Sequence, residues 1–266
     1  MNATTLQEAA HRLWSAWQSR QLIDELPAAI RPASRAQGYA IQSLLERRTR
    51  KPLFGWKIAA TSAAGQKHIG VDRPLAGRLL AERVRADGAA ISLAGNRMRV
   101  AECEFAFRLA RDLEPRPQGY VVAEVMAAVA TLHPSIEIPD SRYRAFEKVG
   151  AAQLIADDAC ADLFILGVAA TCNWRALDLP RLAVTATVEH SGDAQQHHHG
   201  LGADVLGDPR IALVWLVNEL SALGVTLKAG EVVTTGTCVT PIAVAPDDEL
   251  RASFGPMGEV RARFTI

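Results

Sequence analysis

Carboxylates set inside apolar runs are where this sequence can do chemistry. Ala101-Glu102-Cys103-Glu104-Phe105 places two glutamates two residues apart. On a strand, alternate side chains share a face, so Glu102 and Glu104 point one way while Cys103, Phe105 and Phe107 point the other. Adjacent same-face carboxylates repel each other and lose solvation on burial. Solvent, basic partners or a metal ion must offset that, and a pair of exposed glutamates is the plain alternative. A third carboxylate lies in His133-Pro134-Ser135-Ile136-Glu137-Ile138-Pro139-Asp140. Between Ile136 and Ile138, Glu137 is costly to place unless it faces a site. Glutamate oxygens are hard donors that suit Mg²⁺ or Mn²⁺ rather than a thiolate-loving metal. Three such ligands leave half of an octahedron open. A 2-oxo acid can fill two of those positions with its carboxylate and keto oxygens, and a metal there stabilises an enolate as a Lewis acid.

Two further stretches carry reactive or anion-binding groups. In Gly55-Trp56-Lys57-Ile58-Ala59 a lysine interrupts an apolar run. It either snorkels to solvent or faces a polar cavity, where burial would lower its pKa and fit it for proton transfer. Thr234-Thr235-Gly236-Thr237 sets a glycine among hydroxyls, which brings backbone N–H and Oγ close to an anion. His197-His198-His199 invites a metal reading, but adjacent residues on an extended chain point in opposite directions, and the flanking Gln195, Gln196 and Gly200 read most simply as a polar loop.

The elements that must position these groups change character at Pro52. Before it, Leu6, Ala10, Leu13 and Trp17 recur at helical spacing. Ser34 is placed to cap a second helix carrying Tyr39, Ile41, Leu44 and Leu45, whose basic end is Arg47, Arg48, Arg50 and Lys51. After it, short β-like runs follow: Phe54 to Ala60, a strand within Met98 to Leu109, and Leu182 to Glu189 with period-2 alternation. Ser191-Gly192-Asp193 is a turn signal. Leu250 to Phe254 and Val260 to Ile266 read as a closing hairpin across Gly255-Pro256-Met257-Gly258. Two helices are predicted among the strands, over Val121 to Thr131 and from a cap at Asp208, with Pro209 at N1, to Gly224. Strand and helix do not alternate regularly, which favours an α+β or β-rich domain over a doubly wound sheet.

Composition excludes several function classes. The chain has 266 residues, 49% hydrophobic and 22% charged, with 29 basic and 29 acidic residues. That is a globular mix able to bury a sizeable core, and it has no net field to draw in nucleic acid or an anionic membrane. The longest strongly apolar run, Ile211 to Val217, is far short of the ~20 residues of a bilayer span, and Met1 to His11 lacks the pattern of a secretory signal. Cys103, Cys160, Cys172 and Cys238 are scattered without a CxxC pair. They read as reduced, buried hydrophobes in a cytoplasmic protein.

Taken together, the landmarks resemble the 2-oxopent-4-enoate hydratase / 4-oxalocrotonate decarboxylase family of the fumarylacetoacetate hydrolase superfamily. In order they are Gly55-Trp56-Lys57; Gly70-Val71-Asp72-Arg73-Pro74 with Gly77; Glu102-x-Glu104; Glu137 with Ser141-Arg142; Ile155-Ala156-Asp157-Asp158-Ala159; Leu206-Gly207-Asp208-Pro209; Leu227-Lys228-Ala229-Gly230-Glu231; Thr235-Gly236; and the closing hairpin. The resemblance implies an α+β fold: a helical N-terminal segment over 1–52, and over 53–266 a mixed β-roll catalytic domain like that of fumarylacetoacetase. It implies Mg²⁺ or Mn²⁺ held by Glu102, Glu104 and Glu137, Lys57 in the acid–base apparatus, and Lys57, Asp72 and Thr237 about a bound 2-oxo acid. It implies a lyase acting on unsaturated 2-oxo acids in aromatic-compound degradation, by hydration or decarboxylation. It also implies a homo-oligomer, in some systems associated with a pathway partner enzyme. The chain departs from the family pattern at Pro74-Leu75-Ala76-Gly77, where hydratases often read Pro-Asp-Phe-Gly, and at Asp157-Asp158, where Asp-Asn is common. Leu75 tilts the reading slightly towards decarboxylation.

Two other classes remain open from sequence. Acylpyruvate hydrolysis needs a base to activate water, commonly a histidine–carboxylate pair, and His68 and His133 are candidates by residue type. A decayed paralogue kept for assembly would leave Glu102, Glu104 and Glu137 apart.

Overall fold

The computed structural model describes residues 1–190 and 195–266; the turn signal at Ser191-Gly192-Asp193 lies outside the described residues. The elements run α1 (Ala3–Ser19), α2 (Arg35–Gln42), β1 (Leu53–Ala59), α3 (Ala63–His68), β2 (Leu75–Leu80), β3 (Val84–Ala86), β4 (Ala90–Ser92), β5 (Val100–Leu109), α4 (Val122–Met126) and β6 (Val129–Ile138). They continue with α5 (Ala151–Ala156), β7 (Leu163–Leu166), β8 (Ala183–Glu189), β9 (Gln195–Leu201), α6 (Pro209–Ala222), β10 (Val232–Thr237), β11 (Ile242–Ala243), β12 (Glu249–Ser253) and β13 (Glu259–Thr265). The strands form an eight-stranded mixed sheet, ordered β2-β1-β10-β5-β6-β7-β3 with β11 on β5, and a five-stranded sheet ordered β4-β13-β12-β8-β9. This is the predicted α+β architecture, with helices preceding a β-rich body.

Local chemistry sets the helix boundaries. The Ser34 side chain accepts from Gln37 N at 3.3 Å at the start of α2, and Asp208 accepts from Arg210 N at 2.8 Å ahead of Pro209 in α6. Each cap satisfies a backbone donor the helix itself leaves free. Two local predictions are corrected. The helix predicted over Val121 to Thr131 stops at Met126, and Val129 and Thr131 join β6, where Thr131 pairs with Arg108 of β5. β-branched side chains and a waiting strand partner outweigh local helix propensity there. The histidine run is a strand rather than a loop: His197, His198 and His199 face Thr187, Ala186 and Thr185 of β8. The alternating β8 offers a free edge, and backbone pairing decides the conformation of a sequence with weak preferences of its own.

The main core lies on the face of β5 that carries Cys103, Phe105 and Phe107, all fully buried. Phe105 packs edge-on against Phe254 with ring centroids 5.2 Å apart, tying the two sheets together. Each such aromatic stabilises the fold by about 1.5–3 kcal/mol relative to its exposed state. With that face given to the core, period-2 alternation commits Glu102 and Glu104 to the other face. The N-terminal helices pack onto the same body. Trp17 Nε1 donates to Asp162 at 2.7 Å, and the buried Gln42 amide donates to Ala76 O and Ile155 O at 2.8 and 2.9 Å. Among the described residues no helix is long and apolar enough to cross a membrane, and the four cysteines are free.

Candidate functional site

Sheet register brings the predicted groups together. The order β1-β10-β5-β6 is continuous, with Lys57 opposite Thr234, Thr237 opposite Glu104, and Glu102 opposite Glu137. Residues directly opposite on paired strands share a face. Residues far apart in the chain therefore meet because one register fixes all of them. One carboxylate oxygen from each of Glu102, Glu104 and Glu137 lies within 4.8 Å of the others. This excludes the reading in which the three stay apart. Glu104 and Glu137 are fully buried and Lys57 is 2% exposed, so the lysine faces the cavity and does not snorkel.

Glu104 and Glu137 are held at one oxygen each and free at the other. Glu104 Oε2 accepts from Gly236 N at 2.9 Å and from the Thr234 hydroxyl. Glu137 Oε1 stands 3.0 Å from Lys57 Nζ. Glu104 Oε1 and Glu137 Oε2 are buried and accept no hydrogen bond among the described residues. A buried oxygen of this kind without a partner is costly, and three carboxylates facing one ammonium leave negative charge uncompensated. The arrangement fits a divalent cation with hard oxygen donors.

The same deficit governs proton affinity. Burial pushes the Glu102 carboxyl up, and the Lys57 ammonium opposes it. Glu104 is driven well above the usual carboxylate range by burial and then by Glu137 and Glu102. Burial lifts Glu137 to about 7 against the pull of Lys57. For Lys57, burial alone acts downward, but Glu137, Glu102 and Glu104 outweigh it and hold the ammonium above its ordinary value. Without a cation, then, the lysine is a firmly protonated acid.

A strained turn completes the lysine's surroundings. Asp158, Ala159 and Cys160 all have left-handed backbones, with φ of 56°, 51° and 63°. Non-glycine residues there cost roughly 1–2 kcal/mol each. The turn is pinned by Asp158 Oδ1, which accepts from Arg78 N at 2.6 Å, and by the buried Arg142, which donates to Asp157 and to Ala161 O at 2.8 Å. It presents Ala159 O to Lys57 Nζ at 3.0 Å. Gly77 sits beside it, where a Cβ would come within 2.4 Å of Asp158 O and 3.0 Å of the Lys57 stem. At Gly236, φ is +92° and a Cβ would meet Thr61 Oγ1 at 2.1 Å, so only glycine delivers that N–H to Glu104.

A cavity of about 750 Å³ opens beside these groups, lined by Lys57, Glu102, Gly236 and Thr237 among others. Thr237 reaches it, with its hydroxyl turned to Val239 O. Asp72 does not line it: its side chain is 78% exposed and lies 3.7 Å from Arg35, in the turn after α3. Leu75 lines the cavity and is fully buried. Of the two histidines, His68 borders the cavity, stacked edge-on to Phe146. His133 does not, and both its ring nitrogens are engaged, by Thr131 Oγ1 at 2.8 Å and Gly167 O at 2.9 Å. Sequence reasoning gave Arg142, Asp157 and Asp158 no role; the signal was there, two aspartates inside the apolar run from Leu154 to Ala161.

Residues 65–265 match the fumarylacetoacetate hydrolase C-terminal family. The chain is 35% identical over 230 residues to a 2-keto-4-pentenoate hydratase of Burkholderia vietnamiensis, covering 85% of each chain. It is 33% identical over 263 residues to a 2-keto-4-pentenoate hydratase of Paraburkholderia phymatum, covering 98% of this chain and 97% of the other. Among solved structures, 4-oxalocrotonate decarboxylase from Pseudomonas putida G7, complexed with magnesium and adipate, superposes with a TM-score of 0.87 at 26% identity over 99% of this chain and 98% of that one.

Proposed function

The chain belongs to the fumarylacetoacetate hydrolase C-terminal family, and from that premise we propose that it is a divalent-metal-dependent lyase of unsaturated 2-oxo acids. The reaction is hydration of the 2-hydroxypenta-2,4-dienoate / 2-oxopent-4-enoate type, a step in aromatic-compound degradation. The reading rests on one observation above all: three carboxylates converge beside a buried lysine, two of them fully buried with an oxygen that accepts no hydrogen bond. The hydratase relatives, and the magnesium in the decarboxylase structure, support it.

Glu102, Glu104 and Glu137 would hold Mg²⁺ or Mn²⁺, which supplies Lewis-acid stabilisation to the enolate of a chelated 2-oxo acid. The chain's own residues do the rest. Gly236 N and the Thr234 hydroxyl fix one oxygen of Glu104 and leave the other free to ligate. Lys57, held by Ala159 O and Glu137, is the acid that delivers a proton to a dienolate carbon as the 2-hydroxydienoate becomes its keto form. Thr237, at the cavity wall, orients the substrate. Asp72 would take part only through a movement of its turn or from a second copy of the chain.

A second reading, decarboxylation of a 4-oxalocrotonate-type acid, is favoured by the likeness to the Pseudomonas decarboxylase. It uses the same metal ligands, and loss of CO₂ leaves the same dienolate. Supplying 2-hydroxypenta-2,4-dienoate and 2-oxohex-3-enedioate with Mg²⁺, while following absorbance and CO₂, separates the two. Turnover that survives a chelator unchanged would remove the metal from either. The free cysteines fit a cytoplasmic enzyme. A homo-oligomer, as the family resemblance implies, is tested directly by sedimentation. A pathway partner enzyme would co-sediment with it.

A further inference from the structure

The cavity is much larger than its charged end requires. A five-carbon 2-oxo acid has about eight non-hydrogen atoms, whereas cavities of ~300–1,000 Å³ accommodate drug-sized ligands. Here the volume is about 750 Å³. Away from Glu102 and Lys57, Ile69, Leu75, Met98, Val100, Phe146 and Leu154 give the wall an apolar stretch, and the carboxylate of Asp204 adds negative charge to the lining. Leu75 and Leu154 are fully buried, so this wall belongs to the interior and not to a shallow surface depression.

The charge pattern is one-sided. Lys57 is the one lysine or arginine among the described lining residues, and it is bound to Glu137 and Ala159 O. Arg35, by the neighbouring turn, is outside the lining; it donates to Pro74 O and its charge faces Asp72 and Glu219 at 3.7 and 3.6 Å. His68 faces Phe146, and His199 stands on the exposed strand β9. A second carboxylate at the far end of a substrate would lose its water against hydrocarbon with no fixed cation to meet it.

Resting on the function proposed above, we infer that this cavity selects 2-hydroxy-2,4-dienoates whose far end carries an uncharged alkyl or aryl substituent, and discriminates against those ending in a carboxylate. The 2-oxo acid head goes to the glutamates and Lys57. The tail lies against the wall of Leu75, Leu154, Phe146 and Ile69. Each methylene buried there multiplies kcat/KM by about fourfold. A terminal carboxylate in the same place lowers it by about a hundredfold or more relative to the methyl-ended analogue of equal length.

The test is a substrate series with the full-length protein and Mg²⁺: 2-hydroxypenta-2,4-dienoate, its homologues extended by one to four carbons, and 2-hydroxyhexa-2,4-dienedioate. In parallel, calorimetry compares 2-oxohexanoate with 2-oxohexanedioate as non-reacting ligands. The expected result is a kcat/KM that climbs over the first few added carbons, with the dienedioate at least about a hundredfold below the hexadienoate. The saturated acids should show the same order in affinity. Ile69→Arg, at a half-buried position able to accept a long side chain, should narrow that gap by at least about tenfold, with unaltered Mg²⁺ binding showing that the fold is intact. A flat series, or a dienedioate preferred or decarboxylated by the wild-type chain, overturns the inference while leaving the lyase reading in place. Failure to turn over any member, with no Mg²⁺-dependent binding of the oxo acids, brings down the lyase reading and this inference with it.

Discussion

Replacing Glu104 by Gln tests the cation reading in two directions at once. The substitution keeps shape and keeps an acceptor for Gly236 N and the Thr234 hydroxyl, so the fold should survive. It removes one of three anionic donors. Deleting one partner from a buried compensated charge cluster typically costs about 3–5 kcal/mol, which is a loss of ~10²- to 10⁴-fold in Mg²⁺ or Mn²⁺ affinity. The metal-free protein should move the other way. Burial, Glu137 and Glu102 raise the Glu104 carboxyl far above its unfolded value. Between the unfolded and folded values the native state binds more protons, so metal-free stability falls as pH rises through that window. Glutamine cannot ionise and escapes that loss. At pH 8 the metal-free variant should therefore melt above the metal-free wild type, by about 2–4 °C for each kcal/mol recovered, while losing the wild type's rise in Tm on adding Mg²⁺. Calorimetric titration and thermal melts with and without the ion read both effects. A variant that is less stable without metal and binds it as tightly as the parent would mean that Glu104 is a structural acceptor only.

Three further outcomes follow from the same geometry. Lys57→Met, which keeps the aliphatic stem, should lower kcat by ~10²- to 10⁴-fold and leave metal affinity within about tenfold, since Nζ touches one Glu137 oxygen and the other is free; a calorimetric loss of metal binding would reassign the lysine. Metal binding should weaken as pH falls below about 7, because Glu137, lifted to about 7 by burial, must then release its proton to ligate. Titration in buffers of different ionisation enthalpy should show protons released on binding at pH 6 and fewer at pH 8, and equal release at both would contradict the assignment. Gly236→Ala should displace the N–H that holds Glu104, because its Cβ meets Thr61 at 2.1 Å with φ at +92°. We expect weakened metal binding with destabilisation of about 1–3 kcal/mol, read by denaturant melts, and wild-type values in both would show that the loop adjusts without cost.

Much of the site was legible because it obeys the simplest periodicity in the chain. Phe105 and Phe107 must face a core, so Glu102 and Glu104 cannot, and Glu137 between two isoleucines repeats the pattern on the next strand. What one strand cannot disclose is its register against another. Nothing in either sequence segment says that Glu102 stands opposite Glu137 rather than opposite Ser135; hydrogen bonding along β5 and β6 decides it. The histidine run was misread for a related reason, since its strand conformation comes from the edge of β8 and not from its own residues. Likewise the helix predicted to reach Thr131 lost its second half to pairing with Arg108. The left-handed turn at Asp158, Ala159 and Cys160 had little local signature, because only Asp158 is of a type that visits that region and Ala159 and Cys160 are not. Its conformation is imposed from outside by Arg78 and Arg142, and such turns are held only where surrounding contacts over-determine them.

That imposed turn explains why the lysine can sit where it does. An ammonium buried beside three carboxylates would be drawn wholly into one ion pair if nothing else held it. Ala159 O supplies a neutral acceptor in addition to the Glu137 contact, both at 3.0 Å, so Nζ is shared between a charge and a dipole. The sharing matters for reactivity. Burial is the largest single influence on this lysine and acts to lower its proton affinity, while the carboxylates act to raise it. A cation held by Glu102, Glu104 and Glu137 would compensate their charge and weaken only the second influence, and Lys57 would then give its proton up more readily. In the proposed lyase, occupancy of the carboxylate cluster would set the readiness of Lys57 to donate, through distances that register and a strained turn fix in advance.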